Sequence, residues 1–91
     1  MFNMKKGINL FKALSNETRY NILRFLLNGE RCVCEIYPNL DLAQNLVSSH
    51  LKVMLEFGLI NVRQEWKRNY YSVNQDALKK YNSLLNIFLQ N

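Results

Sequence analysis

Helical spacing of apolar residues dominates the first two thirds of the chain. This periodicity predicts amphipathic helices over residues 8–14, 17–27 and 44–57. A short third helix, placed between the last two, is predicted to contain both cysteines. The 44–57 helix has the clearest separation of apolar and polar faces, so the sequence defines which of its faces turns toward the core.

Capping and helix-breaking residues set the ends of these predicted helices. Ser15 and Asn16 are good capping residues in front of a helix that starts near Glu17. Gly58 predicts a left-handed C-cap for the 44–57 helix. Pro38 lacks a backbone N–H, so we expect the short helix with the cysteines to end early.

Strand-like alternation replaces helical spacing after Gly58. Residues 60–65 alternate between two faces and a second extended run covers residues 70–73, which together predict a β-hairpin. The predicted tip, near residues 66–69, carries Lys67 and Arg68 at its most protruding point. Arg63 lies on the approach to that tip.

The order of elements predicts the fold class. Three or more helices, a hairpin and a final helix from about Asp76 to the C-terminus form the order of a winged helix-turn-helix. We therefore expect a mainly α protein with a small β-hairpin. No segment rich in proline, glycine or charge marks a linker, so residues 1–91 are expected to form a single domain.

Composition narrows the function classes. The chain has 91 residues, of which 48% are hydrophobic, enough for one modest core. No apolar run reaches the roughly 18 residues that a membrane span requires, and the N-terminus lacks the features of a secretory signal. We expect a cytoplasmic protein without a membrane partner, whose two cysteines stay reduced and form no disulfide framework. The net charge of +5 suits an anionic partner such as nucleic acid.

The 44–57 helix has a polar face suited to the major groove of DNA. Short hydrogen-bonding side chains can enter the groove, and a lysine can reach a phosphate. From periodicity alone, an ordinary solvated face is an equal alternative. The candidate DNA-binding residues on this helix are Gln44, Asn45, Ser48, Ser49 and Lys52.

Two further observations bear on DNA binding. His50, the only histidine, falls at the boundary between the polar and apolar faces, where a structural or DNA-backbone contact is favoured over a metal-binding role. The basic hairpin strengthens the DNA interpretation, because a protruding wing with Arg63, Lys67 and Arg68 would lie against the phosphate backbone or the minor groove.

Three segments resemble the ArsR/SmtB family of winged-helix transcriptional repressors. They are "LFKALSNETRYNILRFLL", "CVCEIYPNLDLAQNLVSSHLKVMLEFGLI" and the hairpin end "YYSV". The resemblance covers residues 10–73 and continues into a plausible dimer helix. It implies a repressor that requires no cofactor and leaves its operator when an inducer binds.

The resemblance also implies a homodimer built from the first and last helices. Two-fold symmetry would place two recognition helices roughly 34–36 Å apart on a palindromic double-stranded operator. Apolar stripes on the terminal helices fit this role. The candidate interface residues are Ile8, Phe11, Leu78, Tyr81, Leu85 and Phe88.

Cys32 and Cys34 occupy the position of the family's inducer site. The resemblance implies binding of As(III) or Sb(III), with Cd(II) or Pb(II) as further inducers, since thiolates are soft ligands. The arsenic-type motif has a third cysteine where this chain has Tyr37, which leaves the third ligand open. Residues two apart on a helix point about 200° apart, so binding by both sulfurs is expected to distort the short helix.

Other functions remain as alternatives. A repressor that responds to oxidation or reactive sulfur at the same thiols is the nearest one. The family's zinc-type site is not expected, because Asp76 has no histidine near it in the last helix. A dithiol oxidoreductase or metal carrier is more remote, since the chain lacks clustered carboxylates and a base beside the thiols, and we expect no enzymatic activity.

Overall fold

A computed structural model of the chain describes residues 12–89, apart from the side chains at positions 84, 85, 87 and 88. Residues 12–14 are helical and lead into seven further elements. These are α1 (Glu17–Leu26), β1 (Arg31–Cys32), α2 (Val33–Asn39), α3 (Gln44–Glu56), β2 (Ile60–Glu65), β3 (Arg68–Val73) and α4 (Gln75–Leu89).

The predicted winged helix-turn-helix architecture is confirmed, with one strand that the sequence did not predict. The sheet is antiparallel and three-stranded in the order β1–β3–β2. Strand β1 has only two residues and pairs with β3, far along the chain, so no local alternation marks it. The β2–β3 hairpin, residues 60–73, is hereafter the wing.

The core lies where the helices meet the base of the wing. Ile22 of α1, Ile36 of α2 and Leu51 of α3 are all fully buried, and Leu59 joins them from the α3–β2 turn. Burial of such side chains stabilises by about 1.5–3 kcal/mol each. One shared core therefore fixes α3 relative to both α2 and the sheet.

Local signals define the helix ends largely as predicted. Asn16 caps α1 by accepting a hydrogen bond from the backbone N–H of Arg19 at 3.1 Å. Gly58 has a φ of 75° directly after the C-cap of α3. Pro38 lies inside α2, which ends one residue later at Asn39.

The last helix is attached by Asn74. Its Oδ1 accepts the N–H of Ala77 at 3.2 Å, and its Nδ2 donates to the carbonyl of Gly58 at 3.0 Å. Its backbone N–H donates to Leu59 O at 2.9 Å. One side chain therefore caps α4 and ties it to the turn that joins α3 to the wing.

Candidate nucleic-acid interface and cysteine pair

Helix α3 presents the polar face that the sequence predicted. Val47, Leu51 and Met54 are fully buried and hold one side of the helix against the core. The predicted DNA-binding side chains on the opposite side are all exposed: Gln44, Asn45, Ser48, Ser49 and Lys52. The Oδ1 of Asn45 accepts the backbone N–H of Leu46 at 3.0 Å.

The N-terminus of α3 is also accessible to an anion. Ala43 is its N-cap and has no side-chain oxygen to accept a backbone N–H, and the first turn contains no acidic residue. Backbone N–H groups at the start of a helix bind phosphate oxygens well. The helix therefore combines a polar side-chain face with an uncapped, electropositive end.

His50 is half-buried at the edge of this face, as the sequence suggested. Partial burial, and secondarily the nearby charge of Arg19, lower the pKa of His50 from its ordinary value of 6.5. Arg19 itself is fixed because its guanidinium donates to the carbonyl of Ala13 at 2.8 Å. His50 is therefore neutral at physiological pH, which suits a structural or hydrogen-bonding role rather than a charge contact.

The wing ends in a two-residue turn that exposes basic and aromatic groups. Trp66 and Lys67 form the turn, and Glu65 pairs with Arg68 across it. Lys67 and Arg68 are exposed, as predicted. Trp66 is 92% exposed and has a φ of 59°, so its indole projects beyond the strands.

Arg63 is placed differently from the other basic residues of the wing. Its Nη2 lies 2.7 Å from Oε1 of Glu30, and its Nη1 lies 2.6 Å from Oε2 of Glu65. A further bond joins its Nε to Oε2 of Glu30 at 3.2 Å. The guanidinium carbon also lies 4.8 Å from the centre of the Tyr70 ring. Its donors thus engage the protein's own carboxylates, a contact that the sequence analysis did not predict.

The same contacts shift the pKa values of Glu30 and Arg63. The hydrogen bond from Arg63 lowers the pKa of Glu30, and the hydrogen bonds to Glu30 and then Glu65 raise the pKa of Arg63. Glu30 and Arg63 are therefore both charged at neutral pH. One positive and two negative charges leave this cluster with a net charge of −1.

The two cysteines do not lie in one helix, which corrects the sequence prediction. Cys32 is the second residue of β1 and the N-cap of α2, whereas Cys34 is the second helical residue. The extended conformation at Cys32, with φ −70° and ψ 150°, turns its side chain back toward the helix start. The two sulfurs therefore meet without distortion of α2, contrary to the expectation from regular helical geometry.

The sulfurs of Cys32 and Cys34 are joined as a disulfide, and their Cα atoms lie 5.1 Å apart. The structure thus describes the paired form, and the thiol form expected in a reducing cytoplasm stays a prediction. The bond encloses only a short loop, so it is still not a framework that staples distant segments. Cys32 is 3% exposed, whereas Cys34 is exposed to solvent.

Hydrogen bonds fix the cysteine pair at the start of α2. The backbone N–H of Cys34 donates to Sγ of Cys32 at 3.2 Å. The side chain of Glu35 accepts the N–H of Cys32 at 3.3 Å, which completes a capping box. Any change in the bonding of Cys32 therefore acts on both the end of β1 and the first turn of α2.

The described residues provide only two sulfurs at this site. Tyr37, at the position of the third cysteine in the arsenic-type motif, is half-buried and packs against the core. No group of three His, Cys, Asp or Glu side chains with metal-binding geometry occurs among the residues that the structure describes. A bound ion would need further ligands from solvent or from small molecules.

The predicted dimer residues fall into two groups. Leu78 is half-buried and packs on the core, and Tyr81 is 6% exposed and belongs to it, so Tyr81 is already covered within one chain. That burial raises the pKa of Tyr81. Ile8 and Phe11, and the side chains of Leu85 and Phe88, lie outside the described residues.

The sequence analysis missed the residues that connect the cysteine pair to the wing. Glu30, Glu65 and Tyr70 surround Arg63, and Tyr70 also pairs with Cys32 in the β1–β3 ladder. The alternating pattern predicted a hairpin but no register, so it did not pair Arg63 with Tyr70. The two-residue strand beside Glu30 left no periodic signal.

Within residues 12–89, no helix is long and apolar enough to cross a membrane. Comparison with known proteins gives more direct information. Residues 16–62 match the bacterial regulatory proteins of the arsR family. The transcriptional activator HlyU of Vibrio cholerae is 36% identical over 83 residues, which cover 91% of this chain and 77% of HlyU. An arsenical resistance operon repressor of Staphylococcus xylosus is 30% identical over 83 residues, covering 91% of this chain and 80% of the repressor.

Solved structures agree with these relatives. The structure of HlyU from Vibrio cholerae superposes with a TM-score of 0.79 at 32% identity and covers 96% of both chains. A structure of the reduced form of HlyU gives a TM-score of 0.77 at 32% identity, covering 94% of this chain and 92% of HlyU. Sequence and fold thus agree over nearly the full length, and the chain belongs to the arsR family of bacterial regulatory proteins.

Proposed function

We propose that this chain is a dimeric, cytoplasmic transcriptional repressor whose affinity for operator DNA depends on the state of the Cys32–Cys34 pair. The observation that carries the proposal is the position of this pair between β1 and α2, next to the recognition helix. The reduced dithiol form would bind the operator, and the disulfide form would release it.

Contact with DNA would come from α3 and the wing tip. The exposed polar side chains of α3 have the size and hydrogen-bonding capacity to read base edges in the major groove, with the uncapped helix start against a phosphate. Lys67 and Arg68 at the tip would contact the backbone beside the half-site. Both surfaces are exposed in the single chain, so neither has to unfold to bind.

A second copy of the chain would complete the operator-binding unit. The half-buried Leu78 lies on α4, whose remaining apolar side chains continue toward the C-terminus. Covering this stripe against a partner would place two α3 helices on half-sites roughly one DNA turn apart. A palindromic operator follows from the two-fold symmetry of such a dimer.

Oxidation of the pair is a balanced two-electron step. The exposed Cys34 thiolate would attack hydrogen peroxide, giving a sulfenic acid and hydroxide, which takes up a proton to become water. The Cys32 thiol would then displace a second water and form the disulfide. Two thiols and one peroxide thus become one disulfide and two waters. The solved structure of a reduced form of the relative HlyU supports thiol chemistry as a property worth testing here.

A thiophilic ion is the second candidate inducer. The arsenical resistance operon repressor among the relatives favours As(III) or Sb(III), and Cd(II) or Pb(II) would suit the same soft donors. The reduced pair would supply two thiolates on neighbouring elements. Water, hydroxide or a small cellular thiol would complete the coordination, because the described side chains offer no third ligand.

The test uses an operator duplex selected in vitro with the reduced protein. Its dissociation constant is measured for the reduced protein, after peroxide, and with arsenite, cadmium or lead. We expect peroxide to weaken binding of the wild type, and not of a Cys32→Ser, Cys34→Ser variant that still binds DNA. Release by an ion but not by peroxide would favour the second candidate. Unchanged affinity under all conditions would refute control through the cysteines.

The DNA half of the proposal has its own test. Lys52→Ala and Lys67→Ala should each reduce the magnitude of the slope of log affinity against log salt by about 1.8 for the dimer, because each removes one phosphate contact, worth about 0.9, from both chains. Lys79→Ala on the exposed side of α4 is a matched control that should leave the slope unchanged. No binding of any duplex at low salt would revive a dithiol oxidoreductase or metal carrier as the function. A reporter gene under the selected operator distinguishes repression from activation.

A further inference from the structure

Arg63 is the one predicted DNA contact that is bound to carboxylates. It lies in a row across the three-stranded sheet, because Tyr70 of β3 pairs with Arg63 of β2 on one side and with Cys32 of β1 on the other. Directly opposed residues project to the same face of a sheet. Cys32, Tyr70 and Arg63 are therefore neighbours on one face, hereafter the sheet row.

Glu30 binds Arg63, the last residue of the sheet row. It comes two residues before Cys32 in the chain and engages Arg63 through both of its carboxylate oxygens, at 2.7 and 3.2 Å. Glu65 takes the remaining Nη1 at 2.6 Å. A carboxylate that binds the guanidinium fork uses the same donors as a DNA phosphate would. Glu30 and a phosphate are therefore competitors for Arg63.

The charge of the cluster has a direct effect on DNA approach. With Glu30 and Glu65 in place, the Arg63 cluster carries a net charge of −1, although Lys67 and Arg68 at the tip of the wing are basic. If Glu30 moves away, the cluster becomes neutral and two donor nitrogens of Arg63 face solvent. The contact with the Tyr70 ring would keep the guanidinium on the same face of the wing in that state.

We propose that Glu30 holds Arg63 away from the DNA backbone, and that its attachment to the cysteine strand makes this hold depend on the state of Cys32. In the disulfide form described here, β1 is fixed between Tyr70 and the cap of α2, and Glu30 holds Arg63. Reduction by two equivalents of a small cellular thiol, which are oxidised to their own disulfide and supply the two protons, converts Cys32 and Cys34 into thiols. Loss of the sulfur–sulfur bond loosens β1 and releases Arg63 to a phosphate. The second part of this proposal rests on the proposed function, whereas the first does not.

Surface ion pairs are individually weak, which matches a contact that must be exchanged for another. Arg63 and Glu30 have side-chain exposures of 50% and 36%, so water and salt screen their attraction. Exchange of a carboxylate for a phosphate therefore needs little energy. A small shift in β1 is enough to change which partner Arg63 binds.

The test is a double-mutant cycle on the selected duplex, with each protein in its oxidised and reduced forms. In the oxidised protein, Glu30→Gln should raise DNA affinity several-fold and increase the magnitude of the salt slope by about 1.8 for the dimer, since each chain gains one phosphate contact worth about 0.9. Both gains should vanish when Glu30→Gln is made in an Arg63→Gln background. Glu56→Gln, which removes an exposed acidic group from α3, is the matched control, and its small gain should survive in that background.

Thiol dependence provides the second readout. The affinity ratio between reduced and oxidised protein should fall toward one in Glu30→Gln, because residue 30 then withholds Arg63 in neither state. Arg63→Lys keeps the charge but loses the two-pronged contact, so it should retain only part of the ratio. These exposed substitutions leave the core intact, and circular dichroism confirms the fold.

The two proposals fail in different ways. A gain from Glu30→Gln that persists without Arg63, or no gain at all, would overturn the hold on Arg63. An unchanged ratio in Glu30→Gln, with a clear ratio in the wild type, would overturn its link to Cys32. Equal DNA affinity of the oxidised and reduced wild type would refute the cysteine switch of the proposed function and also the link between Glu30 and Cys32. The double-mutant cycle of Glu30 and Arg63 would still decide whether Glu30 withholds Arg63 from DNA.

Discussion

Helix α3 and the junction between β1 and α2 both carry candidate functional side chains, but different contacts hold them. Helix α3 is fixed by fully buried residues along one face, so its polar side chains stand on a rigid support. The junction is fixed by a sulfur–sulfur bond, a cap and a two-residue strand. The first support changes only if the core changes, whereas a change at one sulfur can alter the second.

The rigid support of α3 suits an element that recognises DNA, and the support of the junction suits a sensor. A surface that recognises DNA needs side chains in fixed positions before binding. A sensor needs two arrangements of similar free energy, so that a small chemical event shifts the balance. The following predictions test whether the two regions differ in this way.

The largest effect is expected under α3. Leu51→Ala removes a fully buried side chain and leaves a cavity, so the free energy of unfolding should fall by about 2–5 kcal/mol. Chemical denaturation monitored by circular dichroism measures it. Ser49→Ala, on the exposed face of the same helix, is the control and should stay within about 0.5 kcal/mol of the wild type. Similar losses for both variants would contradict a core-held helix.

The end of α3 should show a smaller, purely backbone effect. Gly58 has a φ of 75°, and a Cβ at this position would meet no atom within 4 Å. Gly58→Ala should therefore cost about 1–2 kcal/mol through backbone conformation alone. Gly58→Asn should cost less, because asparagine adopts this conformation more readily. Equal costs for the two variants in thermal or chemical unfolding would show that some other contact is lost.

The cysteine junction can be tested without the disulfide. Cys32→Ser keeps an oxygen that accepts the N–H of Cys34, whereas Cys32→Ala leaves α2 uncapped. Neither variant forms the disulfide, so their difference in unfolding free energy isolates the cap. We expect Cys32→Ser to be more stable by about 1 kcal/mol. If the alanine variant is equally stable, Cys32 does not stabilise α2. A change at its sulfur could then not affect α3 through that helix.

The same contrast explains what the sequence could predict. The bounds and buried face of α3 follow from residues three and four apart, which is local information, and both were predicted within one residue. The cap at Asn16 and the left-handed Gly58 are local as well. These features need only a few neighbouring residues, so the chain order specifies them.

The position of Cys32 depends on a distant partner and was predicted wrongly. A strand of two residues is too short for alternation, and Cys32 pairs with Tyr70, which lies far along the chain. Helical geometry was therefore extended one residue too far, and the sulfurs were expected to point apart. The ion pairs of Arg63 with Glu30 depend on the same sheet, which is why a basic residue in the wing was assigned only to DNA.

The smallest effect concerns His50, at the edge between the buried and polar faces of α3. Its pKa is lowered by partial burial and then by the charge of Arg19, so the unfolded chain binds a proton more readily than the folded one. The free energy of unfolding should therefore be fully retained above about pH 6.5 and should decrease as the pH falls toward the folded-state pKa. Glu30, whose lowered pKa lies below 4.5, titrates in a separate range.

His50→Gln provides the matched comparison, because glutamine hydrogen-bonds but does not titrate. Between pH 6.5 and 5, the wild type should lose stability relative to this variant, by a few tenths of a kcal/mol at a half-buried site. Urea unfolding at several pH values measures the difference, and NMR titration of the single histidine gives the folded pKa directly. If stability changes with pH in the same way in both proteins, or if the folded pKa is at or above 6.5, His50 is surrounded by solvent and does not pack at the edge of the buried face of α3.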